Sequence, residues 1–369
     1  MRKEEMIPFN ELKRGFNLYK EEYEQKALEV LNSGWYILGQ EVDSFERELA
    51  GKLGGGFCAS VDNGLDAIVL GIRALGIGKG DEVIVQSNAY IATVMGVSMN
   101  DAVPVFVEPN KFYNINPNEI EKKISKRTRA VLVTHLYGQP SEMERISDIC
   151  SRYGIHLLED CAQSHFATYN GKMTGRFGTM GFFSFFPTKN LGGFGDGGAV
   201  VSENEELIAK IKTLRNYGSN QKYYNEIIGY NARLDEIQAG LLRVKLSHIE
   251  ELNQNRRRVA ERYLGGIKNP LVMLPSVAER AESVWHLFVV RVQQRDDFRK
   301  YLAEQGVESE IHYPIPVHLS EAYSSMGYRT GDFPIAEEYA KTVVSLPLMD
   351  NMTDMEIEKV IEVVNSYGK

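Results

Sequence analysis

Two hydrophobic periods alternate along this chain. From about Leu53 to Ser202, short β-rich apolar runs are separated by stretches with helical spacing, the pattern of a mostly parallel sheet wrapped by helices. The predicted strands are Glu82–Val85, Val103–Val107, Ala130–Thr134, His156–Leu158, Gly181–Phe185 and Gly198–Val201. Apolar residues at 65, 68, 69, 72 and 75 repeat with a helical period. Asp62 and Asn63 can cap that helix and Gly76 can end it. Turn chemistry at Gly78-Lys-Gly80, Pro109-Asn110 and Gly171 separates the units.

Arg233 to Tyr263 reads as one long helix. Leu234, Ile237, Leu241, Val244, Ile249 and Leu252 lie on a drifting apolar face, and Arg256-Arg257-Arg258 on the wet one. Past Asn269-Pro270 the pattern gives a strand (Trp285–Val292), a helix (Asp296–Gln305), a strand (Glu308–His312) and a helix (Pro334–Val344). A final helix opens on the capping box Thr353-x-x-Glu356. The predicted organisation is a large domain over 1–250, with an N-terminal arm and an inter-domain helix from about 233, and a smaller α/β domain over 251–369. A length of 369 residues suits two domains.

Composition narrows the class. Hydrophobic residues at 43% and charged residues at 25% are ordinary for a globular protein and exclude collagen, coiled coil and disorder. A net charge of −8 gives no overall pull toward nucleic acid or anionic membrane, but leaves room for a local phosphate pocket. Cys58, Cys150 and Cys161 are odd in number and scattered, which fits free thiols in a reducing compartment. The first residues lack an apolar signal region. The longest charge-free stretch, Val83 to Asn100, carries Gln86, Ser87, Asn88, Thr93 and Ser98 and is too polar to span a bilayer. The expectation is a cytoplasmic protein with no nucleic-acid or membrane partner.

The chemistry concentrates in Leu157-Leu-Glu-Asp-Cys-Ala-Gln163 and in Gly181 to Gly198. A strand ending in Glu159-Asp160 brings carboxylates to the carboxyl edge of the sheet, where open α/β sheets bind ligands. Alone, Asp160 is better explained as a cap. Lys189 changes that balance. It stands between an aromatic strand and a loop with glycines at 192, 193, 195, 197 and 198. A desolvated lysine loses proton affinity, and its neutral amine can condense with an aldehyde. Together Asp160 and Lys189 point to pyridoxal 5′-phosphate, whose ring nitrogen needs an acid and whose aldehyde needs an amine. Asn63-Gly-Leu-Asp66 opens a helix whose N-terminus suits a phosphate, Ser184 can add a hydroxyl, and Tyr90 can lay a ring on the cofactor.

In this order these elements resemble the sugar aminotransferases of the DegT/DnrJ/StrS family. The matching stretches are Ser33-Gly-Trp-Tyr-Ile-Leu-Gly39, Asn63-Gly-Leu-Asp-Ala67, Gly80-Asp-Glu-Val-Ile-Val85, His135-Leu-Tyr-Gly-Gln-Pro140, Glu159-Asp-Cys-Ala-Gln163 and Ser184-Phe-Phe-Pro-Thr-Lys-Asn-Leu-Gly192. Further along come Gly195-Asp-Gly-Gly198, Arg215-Asn-Tyr-Gly218, Tyr230-Asn-Ala-Arg-Leu-Asp-Glu-Ile-Gln238 and His312-Tyr-Pro-Ile-Pro-Val-His318. The resemblance implies the type I, aspartate-aminotransferase-like α/β fold, with a mostly parallel sheet of seven strands in the large domain.

It also implies roles. Lys189 is the Schiff-base lysine and proton shuttle, Asp160 pairs with the ring nitrogen, Gln163 contacts the ring hydroxyl and Tyr90 stacks on the ring. Gly64, Leu65 and Ser184 hold the phosphate, and Asn231 reaches it from the neighbouring subunit of a homodimer. His165, Lys222, Tyr223, His312, Tyr313 and His318 are the residues implied near the nucleotide sugar. The implied reaction is a ping-pong transfer from L-glutamate to C-3 of a dTDP-3-keto-6-deoxyhexose, in biosynthesis of an amino-deoxy sugar for a glycan or lipopolysaccharide. A C-4 transfer to a UDP- or GDP-linked 4-keto sugar is the runner-up, and a non-catalytic regulator on the same fold is a third reading. Leu65 stands where many relatives have threonine, Phe186 where some have tyrosine, and Cys161 and Phe166 replace commoner small residues. Lysine at 189 argues against the dehydratases of the family, which carry histidine there.

Overall fold

The computed structural model describes residues 6–369. Its central sheet has seven strands: β1 (Phe57–Val61), β2 (Glu82–Gln86), β3 (Val103–Val107), β4 (Thr128–Thr134), β5 (His156–Asp160), β6 (Met180–Ser184) and β7 (Gly198–Ser202). They lie in the order β1-β7-β6-β5-β4-β2-β3. Only β7 runs against its neighbours, so the sheet is mostly parallel, as expected. Helices on both faces explain why β2 and β4 to β7 read as near-continuous apolar runs. Strand β1 was not predicted: Gly54-Gly-Gly56 precedes it and Ser60 interrupts its apolar run, although all but Phe57 are buried.

Register sets the level of the strand ends. Thr134 lies beside Asp160, and Asp160 beside Phe182, so β4, β5 and β6 finish at one edge. The helix Gly64–Ala74 packs on β6 through two glycines seven residues apart, which share one helix face. A Cβ on Gly71 would stand 2.3 Å from Phe182 Cε1, and one on Gly64 2.5 Å from Ser184 Cβ. Asn63 caps this helix by accepting from Asp66 N. Nearby, buried Glu46 accepts from Ser60 N and Oγ at 2.9 Å each and pairs with Arg215 at 2.5 Å and Lys212 at 2.6 Å. That one carboxylate ties the helices Gln40–Lys52 and Glu205–Leu214 to β1.

Several predicted elements differ. The long helix is two, Glu236–Ser247 and Ile249–Gly266, and Arg233 to Asp235 lie outside both. The break falls at His248, whose ring stacks on Tyr19 at 3.8 Å, a contact 229 positions away that periodicity cannot register. Arg256 is not on a wet face: it is 5% exposed and donates to the carbonyls of Trp285, His286 and Leu348. The predicted strand Glu308–His312 reduces to a bridge between Glu310 and Ser345. The helix from Pro334 stops at Thr342, because Val343–Leu346 leaves it to form strand β9, antiparallel to β8 (Phe288–Arg291). The shorter β8 replaces the predicted Trp285–Val292. The last helix, Asp354–Ser366, has its full capping box.

Around β8 and β9, Tyr263, Phe298, Val360 and Ile7 build an apolar core separate from the one under the central sheet. Val317, Tyr323, Phe333 and Ala336 instead join Phe106 in the core of the central sheet. Cys58, Cys150 and Cys161 are unpaired and buried. Among the described residues no helix is long and apolar enough to cross a membrane.

Candidate active site

At the carboxyl edge the side chains converge. Asp160, 6% exposed, accepts from Thr93 Oγ1 at 2.6 Å and from Ala162 N at 3.1 Å. Its chain neighbour Glu159 faces away, accepting from the amides of Gly175, Phe177 and Gly178 at 2.7–2.8 Å and from His135 Nε2 at 3.1 Å. His135 Nδ1 already accepts from Ser141 N, so the proton is on Nε2 and the imidazole is neutral. The sulfur of Cys161 lies in the same group of close polar atoms, but its carboxylate and imidazole lone pairs are already engaged. What the group does is hold the end of β5, and with it Asp160, rigidly.

Lys189 sits in a tight turn: its N–H donates to Phe186 O, and Gly193 N to Phe185 O, both at 2.8 Å. Gly192 makes the turn possible, since a Cβ there would stand 2.3 Å from Pro187 O. Burial pushes the Lys189 amine down to about 8, and Asp160 offsets part of that shift.

Gln163 is oriented from both ends. Its Oε1 accepts from Tyr137 N at 2.7 Å and its Nε2 donates to Tyr313 OH at 3.1 Å, leaving one N–H for a ligand. Tyr90, half exposed, lies 5.1 Å from the Tyr313 ring. At the start of the helix Gly64–Ala74, Asp66 N and Ala67 N are taken by Asn63. The amides of Gly64 and Leu65, which precede them at the helix start, are therefore left for an anion, beside Ser184. Burial, then Asp66, push the nearby Asp62 carboxyl up to about 7, which lessens its repulsion of that anion near neutral pH.

This donor set suits pyridoxal phosphate. It offers a hydroxyl beside two free helix-start amides for a phosphate, a buried carboxylate for a ring nitrogen, and a desolvated amine that feels that carboxylate.

The residues expected around the sugar divide. Tyr313 lies against Gln163 and Tyr90. His312 donates or accepts at Ser345 Oγ, 2.8 Å from Nδ1, and burial followed by Lys189 pushes it down to about 4. His165 is a correction: it is fully buried against Phe183 and Phe185 and offers no surface to a ligand. His318 is another, buried and paired with Glu337 at 3.2 Å beneath Phe333. Lys222 and Tyr223 lie on an exposed hairpin, the ammonium over the ring at 5.1 Å. Asn231 is exposed as well. Sequence reasoning missed Thr93 and Tyr137. Thr93 stands one helical turn after Tyr90, which was its available signal; Tyr137 enters through a backbone N–H, which no side-chain pattern announces.

The model of the DegT/DnrJ/EryC1/StrS aminotransferase family matches residues 17–365. A dTDP-3-amino-3,6-dideoxy-alpha-D-galactopyranose transaminase of Aneurinibacillus thermoaerophilus is 51% identical over 98% of this chain and 100% of its own length. A dTDP-3-amino-3,4,6-trideoxy-alpha-D-glucose transaminase of Streptomyces venezuelae is 43% identical over 98% of this chain and 96% of its own. Among solved structures, DesV of S. venezuelae in complex with a ketimine intermediate superposes with a TM-score of 0.96 at 43% identity, covering 98% of both chains.

Proposed function

We propose that this chain, which belongs to the DegT/DnrJ/EryC1/StrS aminotransferase family, transfers the amino group of L-glutamate to C-3 of a dTDP-linked 3-keto-6-deoxyhexose. The observation that carries the reading is the meeting of a desolvated Lys189 with buried Asp160 at the sheet edge, in a chain 51% identical to a dTDP-3-amino sugar transaminase.

The enzyme is a pyridoxal-phosphate-dependent aminotransferase. When bound, that cofactor supplies an aldehyde for amines and a ring that takes up an electron pair. Lys189 Nζ would hold the aldehyde, and the same nitrogen is the group placed to move the proton at the amine-bearing carbon of donor or product. A value near 8 leaves an appreciable neutral fraction at physiological pH. Asp160, steadied by Thr93, accepts from the ring nitrogen. The remaining N–H of Gln163 donates to the ring hydroxyl, and Tyr90 covers the ring face. The amides of Gly64 and Leu65 and the hydroxyl of Ser184 hold the phosphate.

The working unit is a C2 homodimer in which exposed Asn231 reaches the phosphate of the partner's site, and the hairpin of Lys222 and Tyr223 extends toward the partner's sugar nucleotide. His312 and Tyr313 line the sugar side. We divide the chain into a cofactor-holding body over 1–250 and a smaller body over 251–369. The apolar core around Tyr263, Phe288 and Phe298 supports that division, and residues 317–336 tie the two together. The cytoplasm is the proposed compartment.

Two experiments test this. Purification with cofactor should yield an absorbance band that Lys189→Ala abolishes; its persistence in the variant rejects the role of Lys189. Incubation with L-glutamate and separate 3-keto and 4-keto nucleotide sugars should turn over the 3-keto compound, and turnover of the 4-keto compound alone rejects the regiochemistry.

A further inference from the structure

We propose that Asn190 is a positioning residue for Lys189, its amide locking the lysine turn to the helix Ile249–Gly266 and to the segment leading into β8. The proposal rests on the reading of Lys189 as the catalytic amine.

An asparagine side chain has two N–H donors and one carbonyl acceptor, and every one of them is engaged here. Asn190 Nδ2 donates to Asn253 Oδ1 at 2.8 Å and to Val284 O at 3.0 Å. Its Oδ1 stands 3.2 Å from His286 Nδ1. Because an amide oxygen only accepts, the proton must be on Nδ1, which fixes the His286 tautomer. Asn190 and Asn253 are each 1% exposed and His286 is 7% exposed, so none of these bonds is exchanged for water. Burial, followed by Lys189, pushes His286 well below its ordinary value and keeps it neutral.

The partners close two routes from Lys189 to Gln163. By the first, Asn190 holds Asn253, whose Nδ2 donates to His165 O at 3.0 Å, two residues from Gln163. By the second, Asn190 holds Val284 and His286; Val284 N donates to Gly138 O at 3.0 Å, and Tyr137 N donates to Gln163 Oε1 at 2.7 Å. The amine and the group that orients the cofactor ring are therefore braced against each other through buried amides. The turn's own bonds, Lys189 N to Phe186 O and Gly193 N to Phe185 O, fix its ends but not its lateral position. Asn190 supplies that lateral restraint. Misplacing a reacting group by about 1 Å costs roughly 10²-fold in rate.

Asn190→Asp keeps the shape and the acceptor for His286 but removes both donors. In the holoenzyme, a single turnover with L-glutamate followed by cofactor absorbance should slow by about 10²-fold while half-saturation by glutamate changes little. The pH midpoint of the cofactor band should move upward, because a carboxylate now stands next to Lys189. His286→Leu should slow the same step, and His286→Asn, which restores a donor near the Nδ1 position, should recover most of that loss. The His286 pair carries the test if Asn190→Asp does not fold. The proposal is overturned if the variants lose thermal stability yet keep the native rate per bound cofactor and the native pH midpoint, or if His286→Asn is as slow as His286→Leu. A cofactor band that survives Lys189→Ala would instead sink the underlying reading, so the two failures are distinguishable.

Discussion

Replacing Gly64 by alanine tests the phosphate cradle directly. The added Cβ would lie 2.5 Å from Ser184 Cβ, 3.0 Å from its Oγ and 3.1 Å from its Cα. Carbon atoms rest at about 3.5–4.0 Å, so the helix start and the end of β6 must part by about 1 Å. Neither yields easily. Ser184 is paired with Gly198 in the sheet, and Gly198 in turn crowds Asn63, its own Cβ position being 2.3 Å from Asn63 O. Overpacking of this kind costs roughly 1–3 kcal/mol, and at the first helical position the better helix propensity of alanine offsets little of it. The larger effect falls on binding. Moving the amides of Gly64 and Leu65 away from Ser184 Oγ forfeits at least one charge-assisted hydrogen bond, about 1.5–3 kcal/mol. The expected result is a dissociation constant for pyridoxal phosphate raised about ten- to a hundred-fold, measured by titrating apoenzyme and following cofactor absorbance. Gly51→Ala is the control, because its Cβ meets nothing within 4 Å on the exposed side of the helix Gln40–Lys52; it should leave affinity unchanged. Native affinity in Gly64→Ala would show that the phosphate does not sit between this helix and Ser184.

Three further outcomes follow from the same geometry. Thr93→Val removes the 2.6 Å hydrogen bond to buried Asp160 and should cost the apoenzyme about 1.5–3 kcal/mol in urea unfolding; an unchanged midpoint and slope would refute the pairing. Burial opposes ionisation of Glu46, but Arg215 and Lys212 outweigh it and hold the group below its ordinary 4.5. Its stabilising charge is therefore present above about 4.5 and lost as pH falls below it. Glu46→Gln should flatten the acid side of the stability curve by about one proton and, by leaving Arg215 without its partner, destabilise by about 3–5 kcal/mol at neutral pH; equal acid slopes would contradict this. Burial pushes the thiols of Cys58, Cys150 and Cys161 upward, so a disulfide reagent at pH 8 should label none of them until the protein unfolds, and rapid labelling of the native state would be contrary evidence.

Legibility in the sequence followed the range of the interactions involved. Strands β2 and β4 to β7 were readable because burial on both faces demands local apolar runs. The break at His248 was not, because both helices carry amphipathic patterns and the difference is made by Tyr19, packed on the imidazole from the far end of the chain. The arginine triplet misled for a related reason: charge argues for water unless backbone carbonyls from elsewhere replace it, as three do for Arg256. Asp160 and Lys189 were legible because a strand end and a glycine turn each declare a position at the sheet edge. Histidine declares nothing of the kind, and His165 and His318 proved to be buried packing and pairing groups.

That burial of histidines bears on the chemistry. Burial in first place, and Lys189 next, push His165 down to about 3 and His312 to about 4, and carry His286 well below its ordinary value. All three imidazoles near the lysine are thus neutral across the physiological range. A charged imidazole there would repel the Lys189 cation and depress the amine further. Because none is charged, two opposing effects set the amine: desolvation, which lowers it, and the Asp160 carboxylate, which restores part of the loss. The balance leaves Lys189 close enough to neutrality to bind a proton and release it within one catalytic cycle. The apolar and neutral surroundings therefore do more than exclude water; they leave the Lys189 amine free of any charged imidazole.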